Sequence, residues 1–357
     1  MTEYFIKGFF MKRSKLIIGL VVFIYMVMLS LIACSGKSNV SAQSNSSSGS
    51  ATNSTDSKKA EQALQNAINS NNSDDIIAAF KNATPELFAS NFPNLYKTSD
   101  PIRLSQILQN ANRAQISALS IHTRPASDFR YDLNSTGDGI IIREYTGRDD
   151  PILMVFPAEI EGYPVVEIYG VFNSNRHEWD SNRLWNYVVI PEGVKTIYKF
   201  RVYGSISLPS TLTKIGSIYS SGCFEYSNFT SIDLSICTSL EEIEELAFRG
   251  CNNLVSVKLP DNIVSIKEGA FMDCKKLMDI NIPTSIKKMG ETSVTAFGGG
   301  GVFWGCGELI NLYIPENVSS IKFTRSSVGT DTNFQGCGKL PIATRQRLQN
   351  LGYKGTF

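Results

Sequence analysis

The chain has 357 residues, of which 42% are hydrophobic, 10% aromatic and 19% charged. That apolar share supports a sizeable core, and the length fits two or three folding units. Charge is balanced, with 34 Lys and Arg against 33 Asp and Glu; without residues 1–33 it becomes 30 against 32, which excludes the basic surplus of a dedicated nucleic-acid binder. His122 and His177 are the two histidines of the chain, too few for histidine-based metal or triad chemistry.

Residues 11–33 read MKRSKLIIGLVVFIYMVMLSLIA. Lys12, Arg13 and Lys15 precede an apolar run of about 18 residues, the layout of an export signal, with Met11 a better start than Met1. A run of about 18 apolar residues also just spans a bilayer. The residues at its end favour the signal. Leu31-Ile32-Ala33-Cys34 resembles the bacterial lipobox, in which a small residue precedes a cysteine whose thiol takes the lipid. The resemblance implies removal of residues 1–33, lipidation of Cys34 and a firm hold on a membrane of the bacterial cell envelope. Ser35 after the cysteine, rather than Asp, resembles the outer-membrane sorting signal of many two-membrane bacteria, and the expected place is the outer membrane or cell surface.

Residues 34–56 are mostly Ser, Asn, Gly, Thr and Ala, a composition that predicts a disordered tether. Residues 57–125 are expected to be a small helical region. Ala60, Leu64, Ala67 and Ile68 share one side of a first helix. Ser73 before Asp74 and Asp75 reads as an N-cap for Ile76, Ile77 and Phe80. Asp100-Pro101 starts another helix, with Ile102, Leu104, Ile107, Leu108 and Ala111 at helical spacing. His122 comes after the last helix and reads as a solvated turn residue.

After Asp128 strand-like segments alternate with turns, and a repeat sets in. Leu254-x-x-Val257-x-Leu259-Pro260 returns as Leu277-x-x-Ile280-x-Ile282-Pro283 and as Leu309-x-x-Leu312-x-Ile314-Pro315. Each copy carries a second apolar pair (Ile263 and Ile266, Ile286 and Met289, Val318 and Ile321) and a Phe-x-x-Cys step, as in Phe248 to Cys251 and Phe271 to Cys274. The Cys251-to-Cys274 period is 23 residues, which predicts a solenoid whose stacked units share one core. The pattern resembles the BspA-type bacterial leucine-rich repeats. The expected architecture is a β-rich solenoid, with one short strand or two per coil, over residues 151–338. Residues 126–150 form an N-terminal β-cap and 339–357 a C-terminal helical cap. Tyr226 is taken to hold the cysteine position in the blurred stretch 198–229.

Cys237, Cys251, Cys274, Cys306 and Cys337 are read as sharing one repeat position. Adjacent coils bring such positions roughly 5 Å apart, but with side chains parallel, so buried free thiols acting as small hydrophobes are expected rather than bridges. Cys223 falls in an alanine position. Enzyme motifs fail: His177-Glu178-Trp179-Asp180 has Ser181 where a metalloprotease needs a second His, and Gly298–Gly301 lacks the Lys-Ser/Thr of a phosphate loop. No catalysis, cofactor, metal or nucleic acid is expected; His177 with Asp180 is the one pair an enzyme would have to use.

Two surfaces compete for a protein ligand. One is the outward face of the repeat strands, whose rows are Val189, Ser207, Asp233, Lys258, Asn281, Tyr313 and Tyr187, Ser205, Ser231, Ser256, Asp279, Asn311. The other consists of inserts: 292–301 with Phe297, 324–332 with Arg325, and 173–183 with Arg176 and Trp179, residue types favoured as interface anchors. Members of the resembled family are mostly surface proteins, several of them regarded as adhesins. The resemblance therefore implies protein binding, with surface adhesion the expected role, and the rows and inserts offer Tyr187, Lys258, Tyr313, Arg176, Trp179, Phe297 and Arg325 as candidate binding residues. The alternative is an envelope scaffold with a partner in its own cell.

Overall fold

The computed structural model describes residues 50–95, 101–147, 149, 151–170, 185–216, 221–291, 300–324 and 331–357. The expected signal at residues 1–33 and Cys34 lie outside them, as do Arg176, Trp179, Phe297 and Arg325. Among the described residues no helix is long and apolar enough to cross a membrane.

Five helices come first: α1 (Ser50–Ser70), α2 (Ser73–Asn82), α3 (Pro85–Leu95), α4 (Pro101–Asn110) and α5 (Arg113–Ala118). The first begins inside the stretch expected to be tether. Extending an existing helix gains one hydrogen bond per residue fixed, so a docked apolar segment can carry a polar one with it. Asn72, not Ser73, caps α2: its Oδ1 accepts from the Asp74 and Asp75 amides at 3.0 and 3.5 Å. Asn112 and Gln115 form a reciprocal capping box on α5. The Gln115 amide is fully buried and donates to the Phe80 and Ala83 carbonyls at 2.9 and 2.8 Å, so one side chain starts α5 and satisfies the end of α2. His122 is no solvated turn residue; its Nε2 lies 2.8 Å from the Ala89 carbonyl.

The rest of the chain builds two faces of parallel strands. One runs through β3 (Leu153–Val155), β6 (Trp185–Val189) and β8 (Val202–Ser207), then β10 (Ser231–Asp233), β12 (Ser256–Lys258), β14 (Asp279–Asn281) and β16 (Asn311–Tyr313). The other runs through β2 (Ile140–Tyr145), β5 (Tyr163–Tyr169), β7 (Thr196–Tyr198) and β9 (Lys214–Gly216), then β11 (Glu242–Ile243), β13 (Ser265–Lys267), β15 (Lys288–Glu291) and β17 (Lys322–Phe323). β1 (Phe129–Leu133) closes the N-terminal edge antiparallel to β2, and the two-residue β4 (Glu159–Ile160) pairs with β5. On the first of these faces some strands stop early for a physical reason. In three coils a proline follows the strand's last apolar residue (Leu259-Pro260, Ile282-Pro283, Ile314-Pro315), and proline has no N–H for the ladder.

Between the faces runs one continuous core, from Phe129 to Tyr353. At its centre Phe224, Phe248, Phe271, Phe303 and Phe334 form a column of stacked rings with centroids 5.2, 5.1, 5.4 and 5.3 Å apart. Beside it Cys251, Cys274, Cys306 and Cys337 each point a thiol at the phenylalanine carbonyl of the preceding coil, at 3.1, 3.1, 3.1 and 3.2 Å. The residue before each cysteine is left-handed: Gly250, Asp273, Gly305 and Gly336 have φ of 68, 58, 78 and 86°, which glycine adopts without steric penalty.

That geometry corrects two assignments. Tyr226, with φ of 59°, occupies the Gly250 position; Ser227 holds the cysteine position, and its hydroxyl makes the equivalent bond to the Phe200 carbonyl at 3.4 Å. Cys237 is not in the repeat position either. It lies after β10 at the bend toward β11 and faces the Pro209 carbonyl at 3.5 Å, because its coil is shorter and spends that residue on the turn. Cys223 does sit in the alanine position, beside Ala247. A third shift concerns β17: Phe323 rather than Ile321 stands opposite Met289, since Ile321 donates its amide to Leu351 in the C-terminal cap. In that cap α6 (Ile342–Asn350) buries Leu348, Leu351 and Tyr353 against the last coil. Arg347 donates to the Pro315, Glu316 and Val318 carbonyls.

Candidate binding face

The repeat strands are three residues long in coils β10 to β16, with the middle residue inward: Ile232, Val257, Ile280 and Leu312 are buried. The flanking residues therefore point outward, since side chains alternate along a strand. Their register makes continuous rows. Ser231 pairs with Ser256, Ser256 with Asp279 and Asp279 with Asn311; Asp233 pairs with Lys258 and Asn281 with Tyr313.

The N-terminal third of this face is covered by the helices. Phe92 from α3 meets Tyr187 edge-on with ring centroids 6.2 Å apart. Leu153, Val155, Tyr187 and Val189 belong to the same apolar cluster as Phe80, Phe88, Leu104 and Leu119. Tyr187, expected as a binding residue, is consequently 2% exposed: a large apolar ring on an outward row finds more favourable burial under a helix than in water. At the rim, Arg113 pairs with Glu192 and donates to Ser210 Oγ at 2.8 Å.

The C-terminal part is open. Lys258 lies 3.6 Å from Asp233, with both side chains more than half exposed, a pair that contributes little to stability and leaves the ammonium available. Asn281 is spoken for, because its side chain bridges the Leu259 amide and carbonyl at 2.7 and 3.1 Å. Asn311 donates to Asp279. Tyr313 is 67% exposed. A concavity of about 560 Å³ lies over Lys258, Asp279, Asn281, Asn311 and Tyr313. Where the helices end, a second depression of about 720 Å³ lies between Ile116 and Ala111 on one side and Ile236 on the other, over the outward Ser205, Ser207, Ser231 and Ser256. The first is polar with one ring, suited to moderate protein contact. The second pairs aliphatic walls with hydroxyl groups. Nothing in the strand pattern alone marks Ile116 or Arg113 as lining a groove; the signal that existed was the apolar start of the outward rows at Tyr187 and Val189, which must be covered by something.

The thiols have no place in this surface chemistry. Burial raises Cys223, Cys237 and Cys337 from the ordinary 9.0 to about 12 and pushes Cys251 and Cys306 well up. They stay protonated and behave as small core groups.

Six copies of a family model described as the BspA type leucine rich repeat region match residues 179–297 and 217–325. No curated protein matches. Among solved structures, a T. pallidum leucine rich repeat protein is 27% identical, covering 66% of this chain and 98% of that one with a TM-score of 0.43. A leucine rich cell surface protein from Faecalibacterium prausnitzii is 17% identical over 66% of this chain and 98% of its own, TM-score 0.26. A leucine-rich repeat protein from Bacteroides ovatus is 16% identical over 61% and 81%, TM-score 0.25. The coils over residues 179–325 thus match the BspA type leucine rich repeat.

Proposed function

We propose that the chain is an exported lipoprotein, held on the cell envelope through Cys34, that presents its repeat face to bind a protein, with adhesion at the cell surface as the role. The observation that carries the binding half is the open row from Asp233 to Tyr313, which the protein's own helices leave uncovered while they cover the N-terminal third of the same face. The Leu31-Ile32-Ala33-Cys34 sequence after a basic and apolar leader supports the anchoring half. Recognition runs through side chains on a rigid sheet, with Lys258 and Tyr313 as the exposed anchors. Arg176, Trp179, Phe297 and Arg325, in the inserts at 173–183, 292–301 and 324–332, are further candidate anchors by residue type alone.

Protease shaving of intact cells tests the reading, with Cys34→Ala cells and lysed cells alongside. Loss of the repeat region from intact wild-type cells is the expected result, together with reduced cell adherence to immobilised matrix proteins in Lys258→Glu and Tyr313→Ala cells. Protection until lysis would remove the adhesion role and favour an envelope scaffold with a partner in its own cell.

A further inference from the structure

The groove of about 720 Å³ at the edge of the helical region is neither a crevice of the solenoid nor one of the helices; it exists because α4 and α5 stop short on the strand face. One wall is Ile116 and Ala111, the other the part-exposed Ile236, and the outward strand residues Ser205, Ser207, Ser231 and Ser256 form the floor. Both rims are electrically neutralised, by Arg113 with Glu192 on one side and Lys258 with Asp233 on the other. Ser205 is 5% exposed, and its hydroxyl is buried with no hydrogen-bond partner among the described residues, an arrangement that costs stability unless something meets it.

We infer that this groove docks an amphipathic α-helix of the partner protein, laid beside α4 and α5 as the next element of the layer they form. The inference rests on the reading that the repeat face binds a protein, and it names the part of that protein that is held. Three observations select a helix. The groove continues an existing interface, in which α3, α4 and the turn after α5 lie with apolar side chains on β3 and β6, and α4 reaches over β8. The groove exposes a sheet face and not a sheet edge, so an added strand has no main-chain partners there, whereas a helix needs none. The walls are aliphatic and the rims carry no net charge, which matches an uncharged stripe at i, i+3, i+4 and i+7 with polar flanks. A volume of about 720 Å³ takes a few large side chains, the footprint of two helical turns.

The test is selection of a displayed library of 15-residue helical peptides on the full chain. The expected winners carry an aliphatic stripe at helical spacing, and the binding of each weakens ten-fold or more in Ile236→Ala and in the groove-filling variants Ser207→Trp and Ala111→Trp. Tyr313→Ala should leave it unchanged, and all variants should keep the wild-type circular dichroism. Winners without the stripe, no winners, or winners indifferent to the groove variants would overturn the inference. Failure of the broader reading looks different. Helix binding that persists while intact cells protect the repeat region from protease would leave the groove assigned and remove the surface role. Adherence lost in Lys258→Glu but kept in Ala111→Trp would leave the face assigned and remove the groove.

Discussion

The outward rows of the repeat strands behave oppositely at their two ends. On β6 the positions are Tyr187 and Val189, and both are buried under the helical region. On β12 to β16 the same register positions are Ser256, Lys258, Asp279, Asn281, Asn311 and Tyr313, and that stretch is open. The backbone is the same at both ends; what differs is the transfer free energy of the side chains. A helical layer is stabilised where the rows are apolar and gains nothing where they carry amides and charges, whose burial without partners is costly. The division between covered and available surface is therefore set by a few residues per coil, and substitutions can move it.

The largest expected effect lies in the core that both ends share. Phe271 stacks between Phe248 and Phe303 and is fully buried, so Phe271→Ala should lower stability by about 3–5 kcal/mol, read as a fall in the chemical-denaturation midpoint. Phe92→Ala addresses the covered end alone. It removes the ring against Tyr187 and should cost about 3 kcal/mol, with hydrogen exchange accelerating in α3 to α5 while β12 to β16 keep their protection. Equal acceleration at both ends would mean the helices are not a separable layer.

A pH effect comes next. The thiols of Cys223, Cys237 and Cys337 have folded-state values near 12 against an ordinary 9.0. Their contribution is full below pH 9 and is lost as pH climbs from 9 toward 12, because the unfolded chain releases those protons first. Stability should fall in that window by about 1.4 kcal/mol per thiol per pH unit, and Cys337→Ser should flatten the decline. The same serine should cost under about 1 kcal/mol at pH 7, since Ser227 already fills an equivalent position with its hydroxyl on the Phe200 carbonyl. The smallest effect on stability belongs to the open end: Lys258→Ala and Tyr313→Ala should each stay within about 0.5 kcal/mol of wild type, while reducing partner binding.

Much of this is legible in the residues. The Phe-x-x-Cys step and the Leu-x-x-Val-x-Leu-Pro phrase encode the coil, because each apolar position must face the shared core. The outward rows are also readable, and their pairing agrees with the 23-residue spacing of Ser256 and Asp279. Long-range choices are what the pattern does not carry. Tyr187 reads as outward from its strand alone, and only the docking of Phe92, far away in sequence, turns it into core. Cys237 lies 14 residues before Cys251 and imitates the repeat, but a shortened coil places it in a bend. Tyr226 and Ser227 exchange places because a left-handed position tolerates a tyrosine when the ladder around it is satisfied, here by the Arg249 carbonyl at 2.8 Å. The groove at Ile116 and Ile236 is an edge between two layers, and edges have no sequence period.

The most direct measurement compares two tyrosines on one face. Residue-resolved hydroxyl-radical labelling of the full chain should modify Tyr313, 67% exposed, rapidly and leave Tyr187, 2% exposed, unlabelled, with Tyr187 becoming reactive in Phe92→Ala. Comparable labelling of both tyrosines in the wild-type chain would contradict the account, since the helices would then not close one end of the face and leave the other for a partner.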